Sequence, residues 1–407
     1  MKPAAEVPTK VPLASEAVHA GEPREHPYHA IAAPIVQTAT YTFGSTQDLV
    51  QYMRGGVERE EYGRYGNPTT QLVERKIAEL EGAEEGLAFS SGMAAITTAI
   101  LAFCKSGSHV VLFADGYRRT RQFVVQVLQR FGVSHTVVDS SDLADIEAAI
   151  QPTTRVLVTE TPTNPYLRVL DLPRVADLCR RKRVKTIVDT TFATPINLRP
   201  VEWGVDLVVH SATKYLAGHN DVLGGVLVGN RATLSLVQEL RDVLGSVPDP
   251  HASYLVLRGM KTLALRVQHQ NQTALYLARE LESHPRVARV WYPGLSSHPD
   301  HAVASTLMGG YGGVFTFEIR GGLEDASRCV DALRIPRIGP SLGGVESLVE
   351  QPALMSYFEL SEDERNRLGI RGSVIRYSAG IECATDLKDD LVQALDRVGP
   401  ADSVTGG

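Results

Sequence analysis

Hydrophobic and polar positions change rhythm twice along this chain. Over residues 1–65 the apolar positions are scattered among Pro, Gly and charged residues with few long periodic segments, which predicts an arm rather than a packed unit. Beyond it, short apolar runs alternate with longer amphipathic stretches. His109 to Phe113, Arg155 to Glu160, Val184 to Asp189 and Leu207 to His210 have the length and residue types of strands, while Arg121 to Phe131 and Leu172 to Arg181 are spaced as helices. The run from Leu87 to Phe103 is apolar enough to suggest a membrane span, but Ser90, Ser91, Gly92, Thr97 and Thr98 interrupt it and it falls short of ~20 residues, so a buried core helix is expected. This strand and helix alternation predicts a largely parallel sheet with helices on both faces. From about Leu257 a long helical pattern runs through Leu281, and strands such as Gly313 to Ile319 follow, which predicts a smaller α/β domain. Three units result: an arm over 1–65, a main domain over 66–256 and a C-terminal domain over 257–407. Gly309-Gly310-Tyr311-Gly312-Gly313 reads as a flexible loop before a strand rather than a nucleotide site.

Composition narrows the function class. The 407 residues, 43% of them hydrophobic, suffice for two domains of ordinary size. A net charge of -6 argues against nucleic acid or an anionic membrane as the main partner. Cys104, Cys179, Cys329 and Cys383 lie far apart without C-x-x-C or metal-ligand spacing, so no disulfide framework and no metal are expected, and reduced thiols in a cytoplasmic protein fit best. Met1 to Leu13 is Pro-rich and charged without the apolar core of a signal peptide, and is expected to be a mobile tail.

Three segments carry candidate chemistry. In Val208-Val209-His210-Ser211-Ala212-Thr213-Lys214-Tyr215-Leu216 one lysine stands among small hydroxyl residues directly after an apolar strand. A partly desolvated lysine amine can form a Schiff base with pyridoxal phosphate, and Ser211 and Thr213 can hold that cofactor's phosphate. An ordinary surface lysine after a strand has the same local look. Asp189 ends the run Val184 to Asp189, where an open α/β sheet presents residues to ligands, and a carboxylate there can face the cofactor's pyridine nitrogen; a helix cap or turn is the plainer reading. In Phe89-Ser90-Ser91-Gly92-Met93-Ala94-Ala95-Ile96 a small-residue turn opens an apolar helix, whose first amides suit a phosphate. A tight helix start without ligand would look alike.

Together with Glu61-Tyr62-Gly63-Arg64-Tyr65-Gly66-Asn67-Pro68-Thr69, Thr159-Glu160-Thr161-Pro162-Thr163-Asn164-Pro165, Ser341-Leu342-Gly343-Gly344-Val345-Glu346-Ser347 and Ile375-Arg376-Tyr377-Ser378-Ala379-Gly380-Ile381-Glu382, these segments resemble the pyridoxal-phosphate enzymes of cysteine and methionine metabolism. That family includes cystathionine γ-synthase, cystathionine γ-lyase and methionine γ-lyase, and the likeness runs over nearly the whole chain. It implies a PLP-dependent transferase-like fold of the aspartate aminotransferase type: α/β, a mostly parallel seven-stranded sheet with helices on both faces, and a smaller C-terminal α/β domain, with 66–256 as the cofactor domain. Lys214 would be the internal aldimine and proton shuttle. Asp189 would pair with the pyridinium nitrogen, and Tyr117 would stack on the ring and donate a proton to the leaving group. Gly92, Met93, Ser211 and Thr213 would cradle the phosphate. Tyr62 and Arg64 would reach the neighbouring subunit's phosphate, which makes a homodimer with shared sites, assembled into a tetramer, the implied form. Arg376 would clamp the substrate α-carboxylate, helped by Ser341 and Asn164. Taken alone, Tyr62 and Arg64 read as solvated arm residues, Arg376 as an ion-pair residue and Tyr117 as core.

Local details point within the family. Tyr117-Arg118-Arg119-Thr120-Arg121, Thr191-Phe192-Ala193-Thr194-Pro195, Ala217-Gly218-His219-Asn220-Asp221-Val222-Leu223 and Gln351-Pro352-Ala353-Leu354-Met355-Ser356-Tyr357 resemble the plant-type γ-synthases. Arg119 stands where methionine γ-lyases carry a cysteine, and Pro340 where animal cystathionine γ-lyases carry an acid. The expected reaction is γ-replacement on an O-acyl- or O-phosphohomoserine by cysteine. The alternatives are a cystathionine or methionine γ-lyase, γ-replacement by a carbon nucleophile, and a non-catalytic PLP-binding protein, which the set Lys214, Asp189, Tyr117 and Arg376 disfavours. Around Tyr117 the basic turn is either a solvated helix face or, through Arg119 with help from Arg121, a contact for an anionic activating group.

Overall fold

The computed structural model describes residues 13–139 and 142–398. Of the tail Met1 to Leu13, expected to be mobile, residues 1–12 lie outside the described residues and Leu13 begins the helix Leu13–His19. Seven strands, β1 (Glu85–Phe89), β2 (His109–Phe113), β3 (Ser134–Val138), β4 (Thr154–Glu160), β5 (Lys185–Asp189), β6 (Leu207–His210) and β7 (Gly225–Gly229), form one sheet in the order β1-β7-β6-β5-β4-β2-β3. Only β7 runs against the rest, pairing antiparallel with both β1 and β6. The inner strands read as continuous apolar runs because both faces are covered. Along β2, Val110 and Leu112 enter one core with Ile96 and Ile100 of the helix Gly92–Phe103, whereas Val111 and Phe113 enter the other with Leu72 and Ile77 of the helix Pro68–Glu81.

A second sheet holds β8 (Val287–Trp291), β9 (Val314–Ile319), β10 (Arg337–Ile338), β11 (Leu348–Glu350) and β12 (Val374–Ser378) in the order β10-β11-β12-β9-β8, antiparallel except for β10 with β11. The α/β architecture with a large, mostly parallel sheet and a smaller second sheet matches expectation.

Three local expectations are corrected. Leu87 to Phe103 is not one helix: Leu87 to Phe89 belong to β1, and the helix begins only at Gly92 after the Ser91 cap. Serine and glycine at 90–92 favour that turn over a continuous helix. Leu257 to Leu281 is two helices, Pro250–Met260 and Leu263–Glu282, broken at Lys261 and Thr262. Arg266 takes up the backbone freed there, donating to Gly259 O at 2.7 Å, to the Thr262 hydroxyl at 3.1 Å and across to Tyr215 O at 2.8 Å. The break therefore ties the C-terminal helix to the residue after Lys214. Finally, the glycine loop 309–313 is pinned rather than loose, with Gly312 N donating to Asn271 Oδ1 (2.8 Å) and Gly313 N to the Tyr215 hydroxyl (3.0 Å). Among its described residues the arm carries the helices Leu13–His19 and Thr46–Met53 and an isolated bridge, Thr40 to Tyr62.

Candidate active site

The C-terminal ends of β4, β5 and β6 deliver Glu160, Asp189 and the Ser211–Lys214 turn to one place, as an open α/β sheet does for its ligand. Asp189 and Glu160 are register partners on adjacent strands. Asp189 Oδ1 accepts from Thr191 N at 2.9 Å and from the Thr191 hydroxyl at 2.5 Å, and that hydroxyl oxygen in turn accepts from Ser211 N at 2.8 Å. Thr191 thus locks the carboxylate to the turn that bears Lys214. Burial pushes the Asp189 carboxyl up, against its bonds to Thr191 and the charge of His210. Asp189 lines a narrow cavity with Tyr117, Thr120 and Ile96, and a cationic ring nitrogen there would supply the charge compensation that it lacks.

Lys214 is partly removed from water without gaining a carboxylate bond. Its amine donates to the Ser341 hydroxyl at 2.8 Å, and burial, reinforced by Arg376 and opposed by Glu350, pulls its pKa down to about 8. Ser341 sits at φ 105°, a left-handed conformation uncommon for a residue with a side chain. Its carbonyl accepts from Arg376 Nη2 at 3.0 Å, while Arg376 Nη1 donates to Asn164 Oδ1 at 3.1 Å. Arg376 on β12 faces its register partner Glu350 on β11 at 2.9 Å. That contact is ionic but poorly aligned, and Glu350 Oε1 accepts no hydrogen bond. A buried guanidinium fixed by Asn164 and Ser341, whose contact with Glu350 is not a hydrogen bond, keeps donor capacity for a second carboxylate.

The helix Gly92–Phe103 supplies a phosphate-sized cradle. The Ser91 hydroxyl caps Ala94 N at 3.0 Å and Ser91 O takes Ala95 N, which leaves the amides of Gly92 and Met93 without a partner among the described residues. A Cβ at Gly92 would stand 2.9 Å from Ser211 Cβ, so only glycine lets the two turns approach. Thr213 Oγ1 exchanges hydrogen bonds with Gly224 across the same turn. Free amides, hydroxyls, a desolvated lysine and a buried acid fit the phosphate, aldehyde and ring nitrogen of pyridoxal phosphate.

Tyr117 is 47% exposed, and its N–H donates to Glu160 Oε2 at 2.6 Å. Glu160 was not singled out from the sequence, although the strand-end reasoning applied to Asp189 fits it equally. Burial and the neighbouring Asp189 push its carboxyl well up. Thr191 and Glu350 were also passed over: the first stood in a quoted motif, and the second has no local signal because sheet register alone brings it to Arg376. In the basic turn, Arg118 is committed to Ser356 O (2.7 Å) and to Glu359, Arg121 reaches Ala114 O (3.3 Å), and Arg119 is exposed and donates only to Gln122 Oε1 (2.7 Å). Tyr62 and Arg64 are not brought to Lys214. Arg64 donates to Asp242 O and to the Tyr65 hydroxyl (3.2 Å) and stands 5.6 Å over the Tyr62 ring.

This is the fold and the site of a pyridoxal-phosphate enzyme. The Cys/Met metabolism PLP-dependent enzyme profile matches residues 14–396, and the chain belongs to that family. It is 47% identical over 387 residues to cystathionine gamma-synthase 1, chloroplastic, of Nicotiana tabacum, covering 94% of this chain and 72% of that one. It is also 42% identical to a cystathionine gamma-lyase of Bacillus subtilis, covering 94% and 98%. Among solved structures, metB from Corynebacterium glutamicum superposes with a TM-score of 0.89 at 37% identity over 95% of this chain and 98% of that one. The protein is therefore a PLP-dependent enzyme of the transsulfuration type. No helix among the described residues is long and apolar enough to cross a membrane.

Proposed function

We propose that the enzyme replaces the γ-substituent of an activated homoserine with the thiol of cysteine, giving cystathionine. The observation that carries this reading is the basic turn after Tyr117, where the Arg119 guanidinium is exposed and held only by Gln122. A leaving phosphate or succinate would find a bidentate partner there, which an acetyl ester would not. Arg121 would assist.

Pyridoxal phosphate bound at Lys214 supplies an electron sink for negative charge at the amino acid's Cα. The chain's own groups do the rest. Arg376 would hold the α-carboxylate, with Asn164 and Ser341 fixing the guanidinium from either side. Lys214 would take the Cα proton and then a Cβ proton as the γ-substituent leaves, and, once the cysteine thiol has lost its proton to the departing group and added at Cγ, would return protons to Cβ and Cα, with the Ser341 hydroxyl orienting the amine. Asp189 would hold a proton at the ring nitrogen, Tyr117 would cover the ring, and Gly92, Met93, Ser211 and Thr213 would bind the phosphate. In this reading residues 66–256 form the cofactor domain and 257–407 the C-terminal domain. The arm carries Tyr62 and Arg64 to a partner's site, so a homodimer is the smallest active unit, within a tetramer in the cytoplasm.

An assay of phospho-, succinyl- and acetylhomoserine with and without cysteine tests the reaction. Cystathionine should dominate when cysteine is present; 2-oxobutanoate as the main product despite cysteine would make the enzyme a lyase. Arg119→Ala should raise KM for the anionic ester by about ten- to a hundredfold, the loss of a charge-assisted contact of roughly 1.5–3 kcal/mol, and leave the acetyl ester nearly unchanged. Equal losses on all esters would return Arg119 to the helix surface.

A further inference from the structure

Beyond the Lys214 cluster, a cavity of about 820 Å³ opens between the two sheets. Its floor is the C-terminal end of the main sheet, where Asp115 follows β2 and Asp139 follows β3, and its roof comes from β8, β9 and the segment 367–371. Asn164 and Arg121 are its common wall with the site already described. Five arginines line it against three carboxylates. Two of the five are neutralised: Arg168 makes a two-point bond to Asp300 at 2.6 and 3.1 Å, and Arg371 pairs with Glu318 at 3.1 Å. The others are not. Arg289 rests over the Trp291 indole at 4.9 Å, Arg121 reaches only a carbonyl, and neither Arg289 nor Arg367 has a carboxylate partner within ion-pair distance among the described residues.

The walls are otherwise firm. Trp291 packs against Tyr166 with ring centroids 4.8 Å apart, and the Tyr166 hydroxyl donates to Gly369 O, which ties the roof to the wall. Arg289 and Arg367 stand at the exposed mouth of the cleft, and the three unpaired guanidiniums outnumber the two remaining lining carboxylates, Asp115 and Asp139, by one, a small positive excess that favours anions; the cleft's size lies within the range of about 300–1,000 Å³ typical of metabolite sites. We propose that this cavity is a second ligand site, separate from the Lys214 cluster, for a small polyanion bearing carboxylates or phosphates, gripped by Arg289 and Arg367. A ligand there would touch Arg121 and Asn164, and so would bear on the same residues that flank the substrate.

The chain has two tryptophans, so a Trp203→Phe holoenzyme leaves Trp291 in the cavity wall as the sole indole reporter. Citrate and pyrophosphate, titrated at constant ionic strength, separate a carboxylate ligand from a phosphate ligand. At least one should change the Trp291 emission saturably with a Kd of about 1 mM or tighter. An Arg289→Ala/Arg367→Ala variant should weaken that binding by about tenfold or more, as expected for loss of charge-assisted contacts. Calorimetric titration of the unaltered holoenzyme reads the same binding should Trp203→Phe fold poorly. No saturable binding of either anion by either method overturns the proposal, as does equal affinity in the wild type and the double-arginine variant.

Discussion

Two lysines of this protein are taken out of water, Lys76 fully and Lys214 in part, and end in opposite situations. Lys76, on the helix Pro68–Glu81, is fully buried and donates to Ala17 O (3.2 Å) and Val18 O (3.1 Å) beside Glu22 at 3.1 Å, and Lys261 closes the same carboxylate at 2.8 Å. It latches the first described helix, Leu13–His19, onto the main domain. Lys214 faces a hydroxyl and a guanidinium instead. Both amines are pulled down by burial; at Lys76 the hydrogen bond and charge of Glu22 oppose this ahead of the smaller lowering by Lys261, whereas at Lys214 Arg376 adds to the fall ahead of the smaller opposition of Glu350. Burial alone does not make a lysine reactive: the partner decides whether the charged form is rescued.

The largest expected effect tests the reactive side of that contrast. Lys214→Ala should cut turnover by more than about a thousandfold while leaving the unfolding midpoint nearly unchanged, since no ion pair is lost. Borohydride reduction and peptide mapping of the wild type should place the label on Lys214, and a label on Lys76 or any other lysine would end the assignment. The mirror experiment is Lys76→Met, which leaves two carbonyls unbonded and one of Glu22's two cations missing. Stability should drop by about 3 kcal/mol in urea titrations, with the folded fraction keeping its turnover. Loss of turnover without loss of stability would contradict a structural role for Lys76.

A pH experiment sharpens the same contrast. Only the neutral amine attacks the cofactor's aldehyde, and a lowered pKa makes that form available at lower pH. The rate at which cofactor-free protein takes up pyridoxal phosphate should therefore rise with pH through a midpoint of about 8, and a midpoint near the ordinary 10.5 would show that Lys214 is not desolvated. The smallest effect concerns the arm, whose Tyr62 and Arg64 lie away from Lys214 within one chain. Lys214→Ala and Arg64→Ala chains, each inactive, should regain on the order of a quarter of wild-type activity when co-expressed, because a mixed dimer assembles one intact site. No recovery from proven mixed dimers would place Arg64 in its own chain's site.

What the sequence determined by itself was what depends on neighbours along the chain. The run Val184 to Asp189 announced a buried strand ending in an acid, and Phe89 to Ile96 a small-residue turn opening an apolar helix whose first amides suit a phosphate. In both, hydrophobic periodicity and capping chemistry act within a few residues and leave a local trace. The glycines and hydroxyl residues around Lys214 were legible for the same reason, and so was the resemblance that ordered the segments. Tertiary structure alone decided the rest. Glu350 meets Arg376 through antiparallel register, Ser341 meets Lys214 across 127 residues of sequence, and Arg266 breaks a helical pattern to grip the backbone of Tyr215. The depressed pKa of Lys214 follows from what was packed around it and not from its own neighbours in sequence. Desolvation and charge proximity are properties of a filled volume, and no spacing along a chain encodes them until that chain has folded.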